Sequence, residues 1–317
     1  VMAWLMLRAM QRFAPERFGA TRWLVALNAS EETNSEQFAR LMRERMGERQ
    51  AAVLVMEAGY PVASPGPSSQ SLLRTGVSSP SLGIGNWALV GASTLVTRRK
   101  GRLTAEITCH GRAAHSGAAY ERGANAVVEL CGVVAELAAR SDPAREVTWN
   151  PASVAGGLTG VVNRVPDVAT AELEVRAYDP AVLAEARAAV LALAGPGRVR
   201  AIADGFACRR EVAITGEDPP WPGGPGTERL LTRWQAAATE LGWRFVPQAR
   251  GGLSDANHLF SPGTPLLDGL GPVGLSAHVS RSSPDGEAPE WIDLPSFPIL
   301  AATHARALME TLRCAAG

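Results

Sequence analysis

The spacing of apolar and polar residues divides the chain into segments whose period changes along its length. Residues 1–10, VMAWLMLRAM, are almost wholly apolar and read as a buried helix, halted by Gln11 and Arg12 well short of the ~20 residues that span a bilayer. Residues 21–27, TRWLVAL, read as a buried strand. Residues 35–46 read as a helix with Phe38, Leu41 and Met46 roughly on one face, and 51–56 as a second buried strand ending at Glu57. Strands and helices alternating at this spacing imply a largely parallel sheet, and such sheets hold ligands at the C-terminal strand edge. The paired Glu31 and Glu32 and the single Glu57 all stand at such edges.

Residues 61–81 are rich in Pro, Ser and Gly and read as an exposed loop. From Val96 the pattern changes. Strands are expected at 103–109, 147–154, 168–176 and 199–208, with helices at 123–139 and 182–193. In order these form β-α-β-β-α-β, the ferredoxin-like arrangement, inserted into a larger α/β domain whose signals resume afterwards. The later segments are a helix at 227–241, a turn running into a short helix at 251–260, a short strand at 265–267 and a closing helix at 298–312. The resulting division is 1–97 and 213–317 for the two parts of the larger domain and 98–212 for the insert. The fold class is therefore α/β: a mostly parallel-sheet domain carrying a ferredoxin-like lid.

Composition narrows the function classes. The chain has 317 residues, 46% hydrophobic and 20% charged, enough for two domains with full cores. Lys+Arg 31 balance Asp+Glu 31, and aromatics are 6%, so neither the basic footprint nor the stacking platform of a nucleic-acid binder is present. Cys109, Cys131, Cys208 and Cys314 lack C-x-x-C spacing and read as free buried thiols. No charged leader or cleavage site precedes the first helix, and the chain opens on Val within it. The beginning of the natural protein is expected to be missing, and the compartment stays open between cytoplasm and periplasm.

Two adjacent carboxylates beside an apolar run are costly, because burial disfavours ionisation and each raises the other's pKa. A cation or proton traffic would account for them: Glu32 as a zinc ligand, Glu31 as the proton carrier. The alternative is a solvated strand-to-helix turn whose acidic residues decorate a helix start. The segment 251–283 concentrates Gly, Ser, Asp and His in a loop, and His278 lies in its Gly-rich part, suited to bind zinc or to sit at a core edge. Asp255 is expected to fix that loop rather than bind metal, and His258 to cap or face solvent.

Six segments in order carry a resemblance: SEETNS, VLVMEAG, GRAAHSGAAYERGANAVVEL, VVNRVPDVATAELEVR, GGLSDANHLF and LDGLGPVGLSAHVSRSSPDG. Together they resemble the zinc-dependent peptidases and amidohydrolases that include glutamate carboxypeptidase, acetylornithine deacetylase, succinyl-diaminopimelate desuccinylase and aminoacylase. The likeness covers nearly the whole chain and is strongest to the glutamate carboxypeptidase branch, through GLGPVGLSAHVSRS. It implies a two-zinc hydrolase, with cobalt or manganese as substitutes, cleaving an amide of an N-acyl amino acid or peptide with a free C-terminal carboxylate. By position, Glu31 matches the general base, and Glu32, Glu57 and His278 match metal ligands. His115 matches a lid histidine that polarises the scissile carbonyl in the partner subunit's site. Asn163 and Arg176 match substrate-holding lid residues, and Gly252 and Ser254 the carboxylate-pocket loop. A homodimer through the insert is implied.

The resemblance also marks departures. A ligand histidine in an H-x-D segment and a bridging aspartate fall upstream of Val1, so this chain alone is expected to bind metal weakly and to be inactive. The loop from Pro61 to Leu95 is longer than usual, and Glu174 replaces an aspartate. Two other readings compete. In one, Ser254, Asp268 and His278 form a Ser-His-Asp hydrolase site near a G-x-S-x-G elbow. In the other, the chain is a dimerisation or binding module whose catalytic half has decayed.

Overall fold

A computed structural model describes residues 1–28, 36–46, 50–62, 91–276, 279 and 289–315. The chain folds into two compact units: Val1–Arg99, Gly223–Arg250 and Ser254–Gly317 form one, and Lys100–Pro222 with Gly251–Leu253 the other. The second unit is thus an insert in the first, extending beyond 212 because its last strand runs on to Asp218.

The first unit contains helices α1 (Met2–Phe13), α2 (Pro15–Ala20) and α3 (Glu36–Arg45) and strands β1 (Val53–Leu54) and β2 (Ala92–Arg99). Within the insert come β3 (Gly101–His110), α4 (Ala126–Ala138), β4 (Thr148–Gly156), β5 (Val168–Ala177), α5 (Pro180–Leu191), β6 (Gly195–Arg200) and β7 (Ala207–Asp218). The first unit resumes with α6 (Pro225–Glu240), β8 (Arg244–Arg250), α7 (Asp255–Leu259), β9 (Leu266–Leu267), β10 (Gly274–Leu275), β11 (Trp291–Ile292) and α8 (Ser296–Ala315).

In the first unit β1 pairs in parallel with β9 and β2 in parallel with β8, while β10 and β11 are antiparallel. Its core joins Met2, Met6 and Met10 of α1, Leu230 and Trp234 of α6, and Leu300 and Leu308 of α8 to Leu95, Phe245, Leu267 and Leu270. Helix α1 buries one i, i+4, i+8 stripe, not its whole surface: Val1, Trp4 and Phe13 are exposed. The buried strand expected at 21–27 is absent. Leu24, Val25 and Leu27 are exposed, and among the described residues no strand supplies the ladder that an extended apolar run needs. The expected loop ends earlier than Leu95, since β2 begins at Ala92, and the pattern of apolar residues does not announce β8.

The insert is one antiparallel sheet of five strands in the order β4-β5-β3-β7-β6. Strict alternation makes it: Leu103, Ala105, Ile107 and Cys109 of β3 and Ala169, Ala171, Leu173, Val175 and Ala177 of β5 all point to the buried face. Asn125 caps α4 by accepting from the Val127 and Val128 N–H groups, and Asp179 caps α5 ahead of Pro180. The order β7-β3-β5-β4 with these two crossovers is the ferredoxin-like arrangement. The single strand expected at 199–208 is instead the turn between β6 and β7, and Pro196 and Gly197 belong to the short edge strand before it. Cys109 and Cys208 are buried, whereas Cys131 and Cys314 are exposed, and all four are free thiols; burial pushes Cys109 up to about 11.

Candidate active site

Glu31, Glu32 and His278 lie outside the described residues, and so do 63–90 of the long loop. Glu57 is described. It is half-buried, at the end of a parallel ladder that continues beyond β1 and β9: the Gly271 N–H donates to the Glu57 carbonyl at 2.7 Å, Gly59 to Pro272 at 3.0 Å and Gly274 to Gly59 at 2.9 Å. Gly271 is required there, because a Cβ would lie 2.7 Å from the carbonyl oxygens of Met56 and Glu57. This ladder ties the backbone of Glu57 to the segment 271–274, four residues before His278. Among the described residues no three His, Cys, Asp or Glu side chains come together as a metal site.

Beneath this edge sit two arginines that no motif or spacing in the sequence singles out. Arg250, at the end of β8, stacks 3.5 Å over the Tyr60 ring and donates to the Ala58 carbonyl at 3.1 Å and to Thr94 Oγ1 at 3.2 Å. Burial lowers its pKa, and the charges of Tyr60, Asp268 and Glu57 oppose that shift. Arg99 is buried and pairs through Nε with Asp268 Oδ2 at 2.6 Å. The same carboxylate accepts from Ser254 Oγ at 2.9 Å and from the Gly269 N–H at 2.5 Å.

Ser254 is therefore committed. It donates to Asp268 and caps α7, accepting from the Ala256 N–H, while Asn257 returns a bond to the Ser254 N–H. Ser254 is buried in this capping box, and its hydroxyl engages an aspartate already paired with an arginine, an arrangement unlike that of a serine nucleophile activated by imidazole. Asp255 accepts from Asn28 Nδ2 at 2.7 Å, tying the loop down.

In the insert, Gly111 packs against the Ala124 carbonyl with no room for a Cβ, and this close approach turns the chain into the loop that bears His115. His115 forms an antiparallel bridge with Arg164, the Ser116 N–H donates to the Asn163 carbonyl at 2.9 Å, and Val165 donates to Ala114 at 2.8 Å. His115 and Asn163 are thus brought to one exposed edge. Nδ1 of His115 accepts from the Gly117 and Ala118 N–H groups, both at 3.1 Å, so the neutral ring carries its proton on Nε2, as a donor toward an oxygen.

Arg176 stands apart from them. It lies near the far end of β5, opposite Arg102, while the His115 loop follows His110, which pairs with Val168. Eight residues of strand separate these positions, on the order of 26 Å. Arg176 donates through Nε and Nη2 to the two oxygens of Glu174, at 2.8 and 2.9 Å, and through Nη1 to the Gly251 carbonyl at 2.9 Å. The guanidinium expected for a substrate carboxylate is thus already gripped on one edge, and it holds the Glu174 carboxyl below the usual carboxylate range. Gly252 is exposed beside this contact.

Residues 97–197 match the peptidase dimerisation domain family of the M20 type. Over 206 residues the chain is 27% identical to carboxypeptidase G2 of Pseudomonas sp. (strain RS-16), covering 65% of this chain and 46% of that protein. In fold it is similar to a tripeptidase from Staphylococcus aureus, with a TM-score of 0.53 at 19% identity, covering 69% of this chain and 54% of that one. It is similar also to aminopeptidase PepT from Bacillus cereus, with a TM-score of 0.52 at 22% identity, covering 70% and 54%. The chain spans about half the length of these relatives.

Proposed function

We propose that this chain, whose residues 97–197 match the peptidase dimerisation domain and which resembles carboxypeptidase G2 over 65% of its length, is part of a metal-dependent hydrolase of the M20 type cleaving the amide bond of an N-acyl amino acid or short peptide with a free C-terminal carboxylate. The observation that carries this reading is the division of labour in the insert. A histidine whose Nδ1 accepts from backbone N–H groups, leaving Nε2 to donate, stands with Asn163 at one end, and an arginine against the Gly251 carbonyl stands at the other.

Two carboxylates and an imidazole, Glu32, Glu57 and His278, form a donor set suited to zinc. Bound there, zinc would supply a Lewis acid and lower the pKa of water toward ~7. The chain's own groups do the rest. Glu31 takes the proton from the attacking water and returns it to the leaving amine. The Nε2–H of His115 donates to the carbonyl oxygen as negative charge grows on it, and Asn163 adds a polar contact beside it. Arg176 reads the terminal carboxylate. Three ligands are fewer than two catalytic zincs require, so this chain by itself is expected to hold metal weakly and to be inactive.

The ~26 Å of strand between Arg176 and the end of β5 beside which the His115 loop begins exceeds the length of an N-acyl amino acid, which supports a dimer in which His115 serves the partner's site. So does the outer strand β4, which among the described residues pairs only with β5, with exposed Val154 and a following loop that exposes Leu158, Val161 and Val162. Among the described residues no helix is long and apolar enough to cross a membrane.

The test is hydrolysis of N-acyl glutamate by the protein that carries this chain, abolished by a chelator, restored by zinc and indifferent to a serine-directed phosphonate. Chelator-resistant turnover would overturn the metal reading. A protein that binds no metal and turns over none of these substrates would favour the decayed binding module.

A further inference from the structure

Arg176 and Glu174 lie two residues apart on the same face of β5, flanked by Arg102 on β3 and Thr148 on β4. Arg102 is taken up by Asp218, with Nε to Oδ2 at 2.8 Å, so it is committed to another carboxylate. A guanidinium has five N–H donors. Arg176 uses three: Nε and Nη2 toward Glu174, and Nη1 toward the Gly251 carbonyl. One N–H remains on each terminal nitrogen, and two such donors are what a carboxylate takes bidentately. The two bonds from one side and the one from Gly251 also fix the plane of the group. A free arginine side chain would surrender much of its rotamer entropy on binding; this one surrendered it on folding.

We propose that Glu174 is a positioning residue: together with the Gly251 carbonyl it locks Arg176 so that the remaining pair of N–H groups is presented to the substrate's terminal carboxylate. The assignment rests on the carboxylate reading given under the proposed function. It makes Glu174 a determinant of affinity that touches no substrate atom. It also sets a charge rule for the subsite: the Arg176–Glu174 pair is neutral overall, so the pocket selects its ligand by the planar fork more than by net charge.

The experiment compares N-acetylglutamate with its α-carboxamide in the metal-loaded protein that carries this chain, together with NMR of the Arg176 Nε–H group in the absence of substrate. Glu174→Gln should raise KM for the acid by about tenfold, leave the amide unchanged, and accelerate solvent exchange of the Arg176 Nε–H. Glu174→Asp, which keeps the carboxylate, should restore the acid's KM and slow the exchange again. A fall in KM for the acid would mean that Glu174 competes with substrate, and equal effects on acid and amide would mean a merely structural role; either result overturns the assignment. Wild-type protein that treats acid and amide alike would overturn the carboxylate reading and this assignment with it. Protein selective for the acid but unmoved by Glu174→Gln would overturn this assignment alone.

Discussion

His304 offers the most direct measure of how the core of the first unit responds to acid. It is fully buried on α8, accepting at Nδ1 from Trp234 Nε1 at 3.0 Å, with Nε2 3.1 Å from the Leu270 carbonyl, and its ring stacks on Phe245 with centroids 6.0 Å apart. Burial lowers its pKa from 6.5 to about 4, only partly opposed by the Leu270 carbonyl. The native ring therefore stays neutral while the unfolded chain takes up a proton. The stability this contributes is fully present above about pH 6.5 and is lost as the pH falls from there through about 4. With those two values the loss is about 2 kcal/mol at pH 5 and about 3.4 kcal/mol once both states are protonated. His304→Gln removes the titration while keeping an acceptor and a donor, at a cost of roughly 1–3 kcal/mol at neutral pH. Urea unfolding followed by tryptophan fluorescence at pH 7.5, 6 and 5 should show the gap between native protein and variant closing by about 2 kcal/mol over that range. A gap that stays constant within about 0.5 kcal/mol would refute the linkage.

Other outcomes follow from named contacts. Asp268→Asn removes the carboxylate charge paired with the buried Arg99 and should cost about 3–5 kcal/mol in chemical denaturation. Gly271→Ala drives a Cβ against the Met56 and Glu57 carbonyls; a loss of about 1–3 kcal/mol is expected, with exchange protection of the Gly271 and Gly274 N–H groups falling first. If the proposed dimer forms through β4, Val154→Lys on that outer strand should shift it from dimer to monomer in light scattering without changing the insert's circular dichroism.

Much of the fold was legible because alternation is a local signal. Leu103 to Cys109 and Ala169 to Ala177 declare a half-buried sheet without help from the rest of the chain. Residues 21–27 show the limit: TRWLVAL has the composition of a strand, but a strand exists only where a neighbour completes its hydrogen bonds. β8 failed in the opposite sense, since RFVPQAR carries too many polar residues and a proline to look like a strand, yet β2 beside it supplies the ladder. At the site, the family resemblance pointed to His115, Asn163 and Arg176, and the structure adds what spacing could not carry. Ser254 is spent on a cap, Arg176 is held by Glu174, and Arg99, Arg250 and Asp268 form a charged foundation drawn from distant parts of the chain. A buried ion pair between residues 99 and 268 leaves no periodic trace in sequence.

The opposite placement of His115 and Arg176 on one sheet has a genetic consequence. If each catalytic centre borrows its histidine across a two-fold axis, then His115→Ala and Arg176→Ala protomers are each dead alone but complement one another. In a mixed dimer one centre receives both defects and the other neither. Random reassortment of equal amounts of the two inactive proteins would therefore revive about a quarter of all centres. Two loss-of-function alleles of this gene, expressed together, would make a working enzyme that neither encodes.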